Sequence, residues 1–296
     1  MTTLNLNYYH GPDVYSEGAV EDELLSIVQQ RRNISSVLAQ DQRWSILYHL
    51  SPARRGLLEW FPLNAGSNVL EIGAGCGALT GLFCEKAARV TAVELSEKRC
   101  RIIVNRYEDV PNLEVVAGNV MDIPFDRTFD VVTLIGVLEY ARSFIHSHQP
   151  CRDILCRLLA TLKPSGRLIL ALENRYGIKY FAGAAEEHTG RLFDGIEGYP
   201  ASPGVETFSK NELACLLQES GFTDCRWYYP YPDYKFPEEI FSDRFLPGIN
   251  HKFHNAPNYD QERFQLFSER RALFHLMNNG QFDFFSNAFL VVASKK

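Results

Sequence analysis

The sequence predicts an α/β fold in which the strands of a largely parallel sheet alternate with helices. Between residues 66 and 174, five short apolar runs are separated by stretches with helical spacing: SNVLEIG, RVTAVEL, LEVVAGN, FDVVTLIG and GRLILALEN. A glycine-rich turn follows the first run, and the chain ends in two further strand-like runs, CRWYYPYP and FFSNAFLVV. Strands that alternate with helices form βαβ units with right-handed crossovers, and these units build a parallel sheet.

The remaining blocks differ in pattern from this core. Residues 1–62 have apolar side chains at helical spacing and predict a helical N-terminal cap. We assign residues 63–296 to the main domain, with insertions at about 175–206 and 231–282. The first insertion is rich in glycine, aromatic and charged residues, and loops of that length are usually functional or disordered.

The composition limits the possible partners. The chain has 296 residues, with 30 Lys and Arg against 36 Asp and Glu and a net charge of −6, so we expect no nucleic-acid partner. Its apolar stretches are far shorter than the roughly 20 residues of a membrane span, and we expect none. The N-terminus has no basic region followed by an apolar run, and the seven cysteines are scattered. We therefore expect a cytoplasmic protein with reduced thiols. No pattern indicates its oligomeric state.

The glycine-rich turn is the strongest functional motif, and two cofactor classes fit it. A strand that runs into glycines and then a helix brings the backbone close to a ligand and supplies free N–H groups. Gly73, Gly75 and Ala78 satisfy the dinucleotide pattern G-x-G-x-x-A, and Glu94 lies 21 residues beyond Gly73. The alternative is the pattern E-x-G-x-G-x-G, which begins at Glu71.

This second pattern resembles the loop of class I S-adenosylmethionine-dependent methyltransferases. The resemblance implies a Rossmann-like, seven-stranded mixed sheet with an antiparallel last strand, and S-adenosylmethionine as cofactor with S-adenosylhomocysteine as product. Glu71 is then placed to hold the methionine ammonium group, Glu94 the ribose hydroxyls, and Asn119 the adenine. The implied cofactor-binding residues are Glu71, Gly73, Ala74, Gly75, Gly77, Glu94, Leu95, Asn119, Val120 and Gly136.

Further signatures resemble a bacterial subgroup of these enzymes, which we associate with surface-polysaccharide biosynthesis loci. They include LIGVLEYA, ENRYGIKYFAGA and EEHTGRLFDGIEGY. The resemblance implies a glycan or small-molecule acceptor, with a hydroxyl of a saccharide or related polar metabolite as the preferred one. The aromatic residues Tyr176, Tyr180 and Phe181 are compatible with stacking on a sugar ring and equally with packing inside the loop.

In this fold the loop after the fourth strand lies beside the transferred methyl group. Ubiquinone-type O-methyltransferases hold a metal there with a Glu-Val-Leu-Glu-His pattern. This chain has Gly136-Val-Leu-Glu139-Tyr140, which keeps only one of the three ligands, so we predict no metal at that site.

Methylation of a hydroxyl requires loss of its proton, so a general base is expected. His188 in the first insertion is the main candidate, because its ordinary pKa lies near neutrality. Glu173, at the end of the fifth strand, and Asp194 are the other candidates. The competing interpretations are an exposed loop histidine and a glutamate that fixes the loop.

Three alternatives to a saccharide methyltransferase stay open from the sequence. The chain is compatible with an N- or O-methyltransferase of a natural product or peptide. It is also compatible with a non-catalytic cofactor-binding partner protein, although the intact glycine loop with Glu71 and Glu94 argues against a degenerate site. The third alternative is a nicotinamide-dependent oxidoreductase, as the dinucleotide pattern allows.

Overall fold

The computed structural model describes residues 1–13, 15–202, 204–248, 250–253 and 263–295. The chain divides into two compact units. The first unit comprises residues 1–134 and 161–167, and the second comprises residues 135–160 and 168–296. Residue 203 of the first predicted insertion and residues 249 and 254–262 of the second lie outside the described residues.

The first unit contains a parallel sheet and five α-helices. Its strands are β1 (Thr3–Tyr8), β2 (Asn68–Ile72), β3 (Arg89–Glu94), β4 (Leu113–Gly118) and β5 (Phe129–Ile135), and their order is β1-β4-β3-β2-β5. Its helices are α1 (Ala19–Gln29), α2 (Ile34–Gln40), α3 (Trp44–Leu50), α4 (Thr80–Lys86) and α5 (Glu97–Arg106), with a 3₁₀ helix at Pro52–Leu57. Each of the four strand pairs is parallel. The predicted βαβ organisation is therefore confirmed.

The second unit contains the remaining strands and six further helices. Strand β6 (Leu162–Glu173) passes from the first unit into the second, where the strand order is β6-β9-β7-β8. The other strands are β7 (Phe222–Tyr231), β8 (Glu239–Ser242) and β9 (Ala288–Lys295). The helices are α6 (Ala141–Phe144), α7 (Pro150–Thr161), α8 (Ile178–Phe181), α9 (Lys210–Glu219), α10 (Glu269–Asn278) and α11 (Phe282–Phe285). As predicted, the last strand is antiparallel to β7.

The predicted count of seven strands was wrong, because the described residues form nine. The first additional strand is β1, which lies in the N-terminal block predicted to be helical and pairs with β4. The second is β8, which lies in the second predicted insertion and pairs antiparallel with β7. Both are added at the ends of the strand orders given above, where an extended segment can hydrogen-bond to a free strand edge. The predicted boundary between residues 62 and 63 stays a prediction.

The N-terminal helices hold the glycine-rich loop in place. Cys76 of the loop is fully buried in an apolar cluster with Leu24 and Ile27 of α1, Ile46 of α3 and Ile102 of α5. Burial of side chains of this size contributes about 1.5 to 3 kcal/mol each. The N-terminal helices therefore pack against the glycine-rich loop of their own unit.

Candidate active site

The glycine-rich loop between β2 and α4 is the first part of the candidate site. Gly73, Gly75 and Gly77 have φ angles of 68°, 56° and 80°, which residues with a Cβ atom adopt rarely. At Gly77 a Cβ atom would also lie 2.9 Å from the ring of Tyr107, whose hydroxyl donates to the Gly77 carbonyl at 2.7 Å. A side chain at this position would displace Tyr107, so the loop requires glycine there.

The carboxylate of Glu94 joins this loop to the turn after β3. The Gly75 N–H donates to Glu94 Oε2 at 2.8 Å, and the Ser96 N–H donates to Glu94 Oε1 at 3.0 Å. A carboxylate offers about four lone-pair sites, so both oxygens keep acceptor capacity for hydroxyl groups of a ligand. Glu94 therefore lies where its predicted role in ribose binding requires it, and that role stays a prediction.

Glu71 lies on β2 and is bonded to the helix that follows the loop. The Thr80 hydroxyl donates to Glu71 Oε2 at 2.6 Å. Burial raises the pKa of Glu71 to about 8; the hydrogen bond from Thr80 opposes this shift, and the charge of Glu94 adds to it. The Glu71 side chain is therefore mostly neutral at pH 7 in the protein without ligand. Its predicted contact with the cofactor ammonium group stays a prediction.

The other predicted cofactor residues of the first unit lie at the carboxyl ends of parallel strands. Ala74 donates its N–H to the Val93 carbonyl at 3.1 Å. Leu95 follows β3, and Asn119 and Val120 follow β4. Because β2 lies between β3 and β5 in the strand order, the strand connections change direction there, which is where open α/β sheets bind ligands.

Gly136 directly follows β5 and belongs to the second unit. Its N–H donates to the Ala171 carbonyl of β6 at 2.9 Å. Its φ angle is 68°, and a Cβ atom would lie 2.9 Å from Tyr234 Oη. Tyr234 itself is buried, with 1% of its surface exposed. The backbone after β5 can therefore approach Tyr234 closely only because residue 136 is glycine.

The second unit brings together Glu139, Glu173 and His188. Glu139 lies in a 3₁₀ helix (Leu138–Tyr140) after Gly136, Glu173 ends β6, and His188 belongs to the first predicted insertion. His188 Nε2 lies 3.6 Å from Glu139 Oε1 and 3.8 Å from Glu173 Oε2. All three side chains are buried, with at most 5% exposed. His188 is therefore not an exposed loop residue.

Glu186 orients the His188 ring. Its Oε1 lies 2.6 Å from His188 Nδ1, and its Oε2 accepts the backbone N–H groups of His188 and Thr189, both at 2.8 Å. A carboxylate that hydrogen-bonds to one ring nitrogen keeps a proton on that nitrogen and leaves the other nitrogen to face different groups. In this site the other nitrogen, Nε2, faces Glu139 and Glu173. The edge of the Tyr140 ring contacts the His188 ring, with the two centroids 5.2 Å apart.

Two buried lysines balance part of the negative charge around these residues. Lys235 forms ion pairs with Glu173 and Glu187. Lys179 pairs with Glu187 and, at 2.6 Å, with Asp233. Because buried charges are costly unless they are paired, this network connects β6 to segments of both predicted insertions.

The charges of the cluster change its acid–base properties. Burial disfavours a charged His188, but the carboxylates of Glu139, Glu173 and Glu186 outweigh it and raise the pKa of His188 well above its ordinary value. Burial likewise raises the pKa of Glu173, although the charge of Lys235 opposes this. These carboxylates and this ring can exchange a proton, and their Oε and Nε2 atoms can also bind a cation.

Asp194, the third predicted catalytic residue, has different partners. It is buried, with 4% of its surface exposed, and the Ser202 hydroxyl donates to Asp194 Oδ2 at 3.0 Å. Among the described residues, Asp194 forms no hydrogen bond or ion pair with His188. Its role as a base stays a prediction that this arrangement does not support.

Most of the aromatic residues that could stack on a sugar are engaged inside the protein. Tyr180 and Tyr234 are buried. The Tyr176 ring stacks on Phe284 with centroids 5.6 Å apart, and Phe181 meets the edge of Phe285 at 5.8 Å. These rings pack inside the insertion and do not form an open surface on which a sugar ring could stack.

Sequence reasoning missed several residues that support the site. The Asp13 carboxylate accepts the Glu97 N–H at 2.8 Å and the Ser96 hydroxyl at 2.9 Å, beside the turn that holds Glu94. Tyr107 supports the glycine loop from α5, as described above. Neither contact has a local motif, since Asp13 and Tyr107 lie far along the chain from their partners. By contrast, the acidic pair in Glu186-Glu187-His188 is a local signal for an oriented histidine.

The chain is similar to known methyltransferases. Residues 70–170 match the family model described as a methyltransferase domain. A demethylmenaquinone methyltransferase of Tropheryma whipplei strain Twist is 27% identical over 207 residues, which are 67% of this chain and 80% of that protein. The mitochondrial ubiquinone biosynthesis O-methyltransferase of Schizosaccharomyces pombe is 36% identical over 167 residues, 53% of this chain and 56% of that protein.

A solved structure supports the fold. Haemonchus contortus phosphoethanolamine N-methyltransferase 1, in complex with phosphoethanolamine and S-adenosylhomocysteine, has a TM-score of 0.51 and 14% sequence identity. The match covers 97% of this chain and 52% of that chain. At this identity the likeness shows the fold alone.

The mixed sheet and the glycine loop are those of the Rossmann-like fold of class I methyltransferases. With the domain match and the relatives, the chain is a class I S-adenosylmethionine-dependent methyltransferase, and S-adenosylmethionine is its methyl donor. The oxidoreductase and non-catalytic alternatives are set aside. No helix in the described part of the chain is both long and apolar enough to cross a membrane.

Proposed function

We propose that the protein transfers the methyl group of S-adenosylmethionine to a hydroxyl oxygen of a saccharide or a related polar metabolite. The observation that carries the proposal is the buried cluster of Glu139, Glu173 and His188, which begins three residues after Gly136. In the fold that the sequence resembles, the loop at Gly136 lies beside the reactive methyl group. The cluster is then a centre that activates the acceptor.

The chemistry of methyl transfer explains why such a centre is needed. The methyl group moves from the sulfonium to the acceptor oxygen in an in-line displacement, for which the protein supplies orientation and a dry site. A hydroxyl acceptor must also lose its proton, and a positioned group that assists this loss contributes about 10² to 10⁴ in rate. We assign His188 and Glu173, two of the predicted catalytic residues, to the centre that promotes this loss.

The saccharide class rests on the sequence rather than on stacking aromatics. The signatures of the polysaccharide-associated subgroup support it, and the net charge of −6 disfavours a polyanionic acceptor. A phenolic hydroxyl is the second candidate, because one relative is named for O-methylation in ubiquinone biosynthesis. A cytoplasmic location is part of the same proposal.

The test is an acceptor screen with S-adenosylmethionine that carries a labelled methyl group. Nucleotide sugars, oligosaccharides, hydroquinones and short peptides are incubated with the protein, and products are located by mass spectrometry. We expect an O-methylated saccharide. Methylation of amines alone would contradict the proposal, and methylated hydroquinone alone would favour the second candidate.

A matched pair of variants tests the activating centre. His188→Ala should lower turnover about 100-fold or more while the affinity for S-adenosylhomocysteine stays close to that of the unmodified protein. Glu219→Gln, an exposed carboxylate at the end of α9, is the control and should keep full turnover. Full turnover in His188→Ala would remove this residue from the reaction.

A further inference from the structure

We propose that Glu139, Glu173 and His188 together bind a divalent cation of the magnesium or manganese class. The inference deepens the proposed function, on which it rests for the catalytic role of the ion. Sequence reasoning predicts no metal because Gly136 and Tyr140 replace two of the ligands in the ubiquinone-type loop. The structure offers a different ligand set, in which only Glu139 comes from that loop.

The distances fit a shared ion better than direct hydrogen bonds. One oxygen of each carboxylate and one ring nitrogen of His188 all lie within 4.8 Å of one another. The Nε2 separations of 3.6 Å and 3.8 Å are too long for hydrogen bonds. Two ligands that each lie about 2.1 Å from one ion are roughly 3 to 4 Å apart. The two distances from Nε2 are therefore those expected between ligands of a common ion.

Unpartnered oxygen atoms are an independent observation. Both carboxylate oxygens of Glu139 and the Oε2 atom of Glu173 are buried and have no hydrogen-bond partner among the described residues. Glu139 is 1% exposed and Glu173 is fully buried. A buried carboxylate without a hydrogen bond or counter-charge is strongly disfavoured. A cation between the three side chains satisfies these oxygens.

The surroundings of the ligands have the features of a metal site. Histidines that bind metals usually hydrogen-bond to a carboxylate through their second ring nitrogen, as His188 Nδ1 does with Glu186 at 2.6 Å. That contact leaves Nε2 directed at the other two ligands. Lys235 pairs with Glu173 Oε1, so Oε2 is the oxygen of Glu173 that faces the site.

The charge balance favours a divalent ion over a proton. The ion-pair network around His188 joins five carboxylates, those of Glu139, Glu173, Glu186, Glu187 and Asp233, to two lysines. A protonated ring at His188 adds one positive charge, whereas a divalent cation adds two. A cation held there would supply a positive charge to which the acceptor oxygen binds and which promotes loss of its proton.

The experiment measures cation binding directly on the full chain. After treatment with EDTA, the protein is titrated with MnCl₂ and with MgCl₂ by calorimetry, and bound Mn²⁺ is examined by electron spin echo spectroscopy. We expect one Mn²⁺ per chain and a nitrogen coupling from the imidazole. No binding of either cation at millimolar concentration would overturn the inference.

Two variants identify the ligands, and a third is the control. Glu139→Gln keeps the shape of the side chain and should weaken Mn²⁺ binding at least tenfold. His188→Ala should abolish the nitrogen coupling. Glu219→Gln should bind Mn²⁺ like the unmodified protein. Unchanged affinity in a folded Glu139→Gln protein, as judged by circular dichroism, or retained nitrogen coupling in His188→Ala, would contradict the assignment.

The two proposals can fail separately. If Mn²⁺ binds as described but no hydroxyl acceptor is methylated, the cation site stands and the proposed function falls. If hydroxyl methylation proceeds at full rate in EDTA and the protein binds no Mn²⁺, the function stands and the cation site falls.

Discussion

The neutral state of Glu71 gives a sharp prediction for the cofactor-binding unit. Burial raises the pKa of this carboxyl from 4.5 to about 8. A group whose pKa is raised on folding contributes stability that is fully present below the unfolded pKa and is lost as the pH rises through the folded pKa. Glu71→Gln replaces the carboxyl with an amide that stays neutral at every pH and can still accept the hydrogen bond from Thr80.

The magnitude follows from the two pKa values. Between pH 4.5 and pH 8 the unfolded chain holds fewer protons at this site than the folded protein, so the free energy of unfolding falls by about 1.4 kcal/mol per pH unit. From pH 5 to pH 7 the loss attributable to Glu71 is about 2 to 3 kcal/mol. The Glu71→Gln protein avoids this loss, so its stability relative to the unmodified protein should rise by that amount.

Urea denaturation at pH 5, 6 and 7, followed by circular dichroism, measures the difference. If the free energy of unfolding falls by roughly 2 to 3 kcal/mol per M urea, the difference between the urea midpoints of Glu71→Gln and the unmodified protein should widen by about 1 M from pH 5 to pH 7. Asp109→Asn removes an exposed carboxylate from the same unit and should show no such trend. A constant gap between Glu71→Gln and the unmodified protein would show that Glu71 is ionised in the folded state.

Two further predictions concern the ends of neighbouring strands. Glu94→Gln should raise the dissociation constant of S-adenosylhomocysteine about tenfold or more, because the carboxylate holds Gly75 and Ser96 and is the proposed ribose acceptor; an unchanged constant in calorimetry would show that the ribose assignment is wrong. Gly136→Ala should lower the free energy of unfolding by about 1 to 3 kcal/mol, because the φ angle of 68° is strained for alanine and the new Cβ atom meets Tyr234 Oη. Tyr234→Phe in that background should recover part of the loss, and thermal denaturation that shows no destabilisation by Gly136→Ala would refute the packing argument.

The glycine-rich loop of the first unit and its neighbouring strands could be predicted from the sequence because their signals are local. The strand Asn68–Ile72, its glycine loop and the acidic end of β3 each depend on a few consecutive residues. The same holds for α9, where Ser209 and Glu212, three residues apart, form a capping box. Strands β1 and β8 were missed because their pairing depends on free edges elsewhere in the chain, which short segments do not encode.

The cluster of the second unit could be predicted only in part, because its geometry is not local. His188 and Glu173 were identified as candidates, yet their proximity depends on how the first insertion folds against the end of β6. Glu139 was discounted on the loop pattern alone, since its neighbours Gly136 and Tyr140 do not match the ubiquinone-type ligands. Asp194 was a reserve candidate in the sequence, and its hydrogen bond from Ser202 is a tertiary contact that the sequence did not indicate.

The ion pairs of the cluster join the two predicted insertions to the end of β6. Glu173 is anchored by Lys235, which follows β7, while His188 is anchored within the first insertion by Glu186. Glu187 pairs with Lys235 and Lys179 at once, so it joins both segments. If either insertion detached, buried carboxylates would lose their counter-charges, which typically costs 3 to 5 kcal/mol per broken buried pair. The two segments therefore stabilise each other through the ion pairs of Glu187.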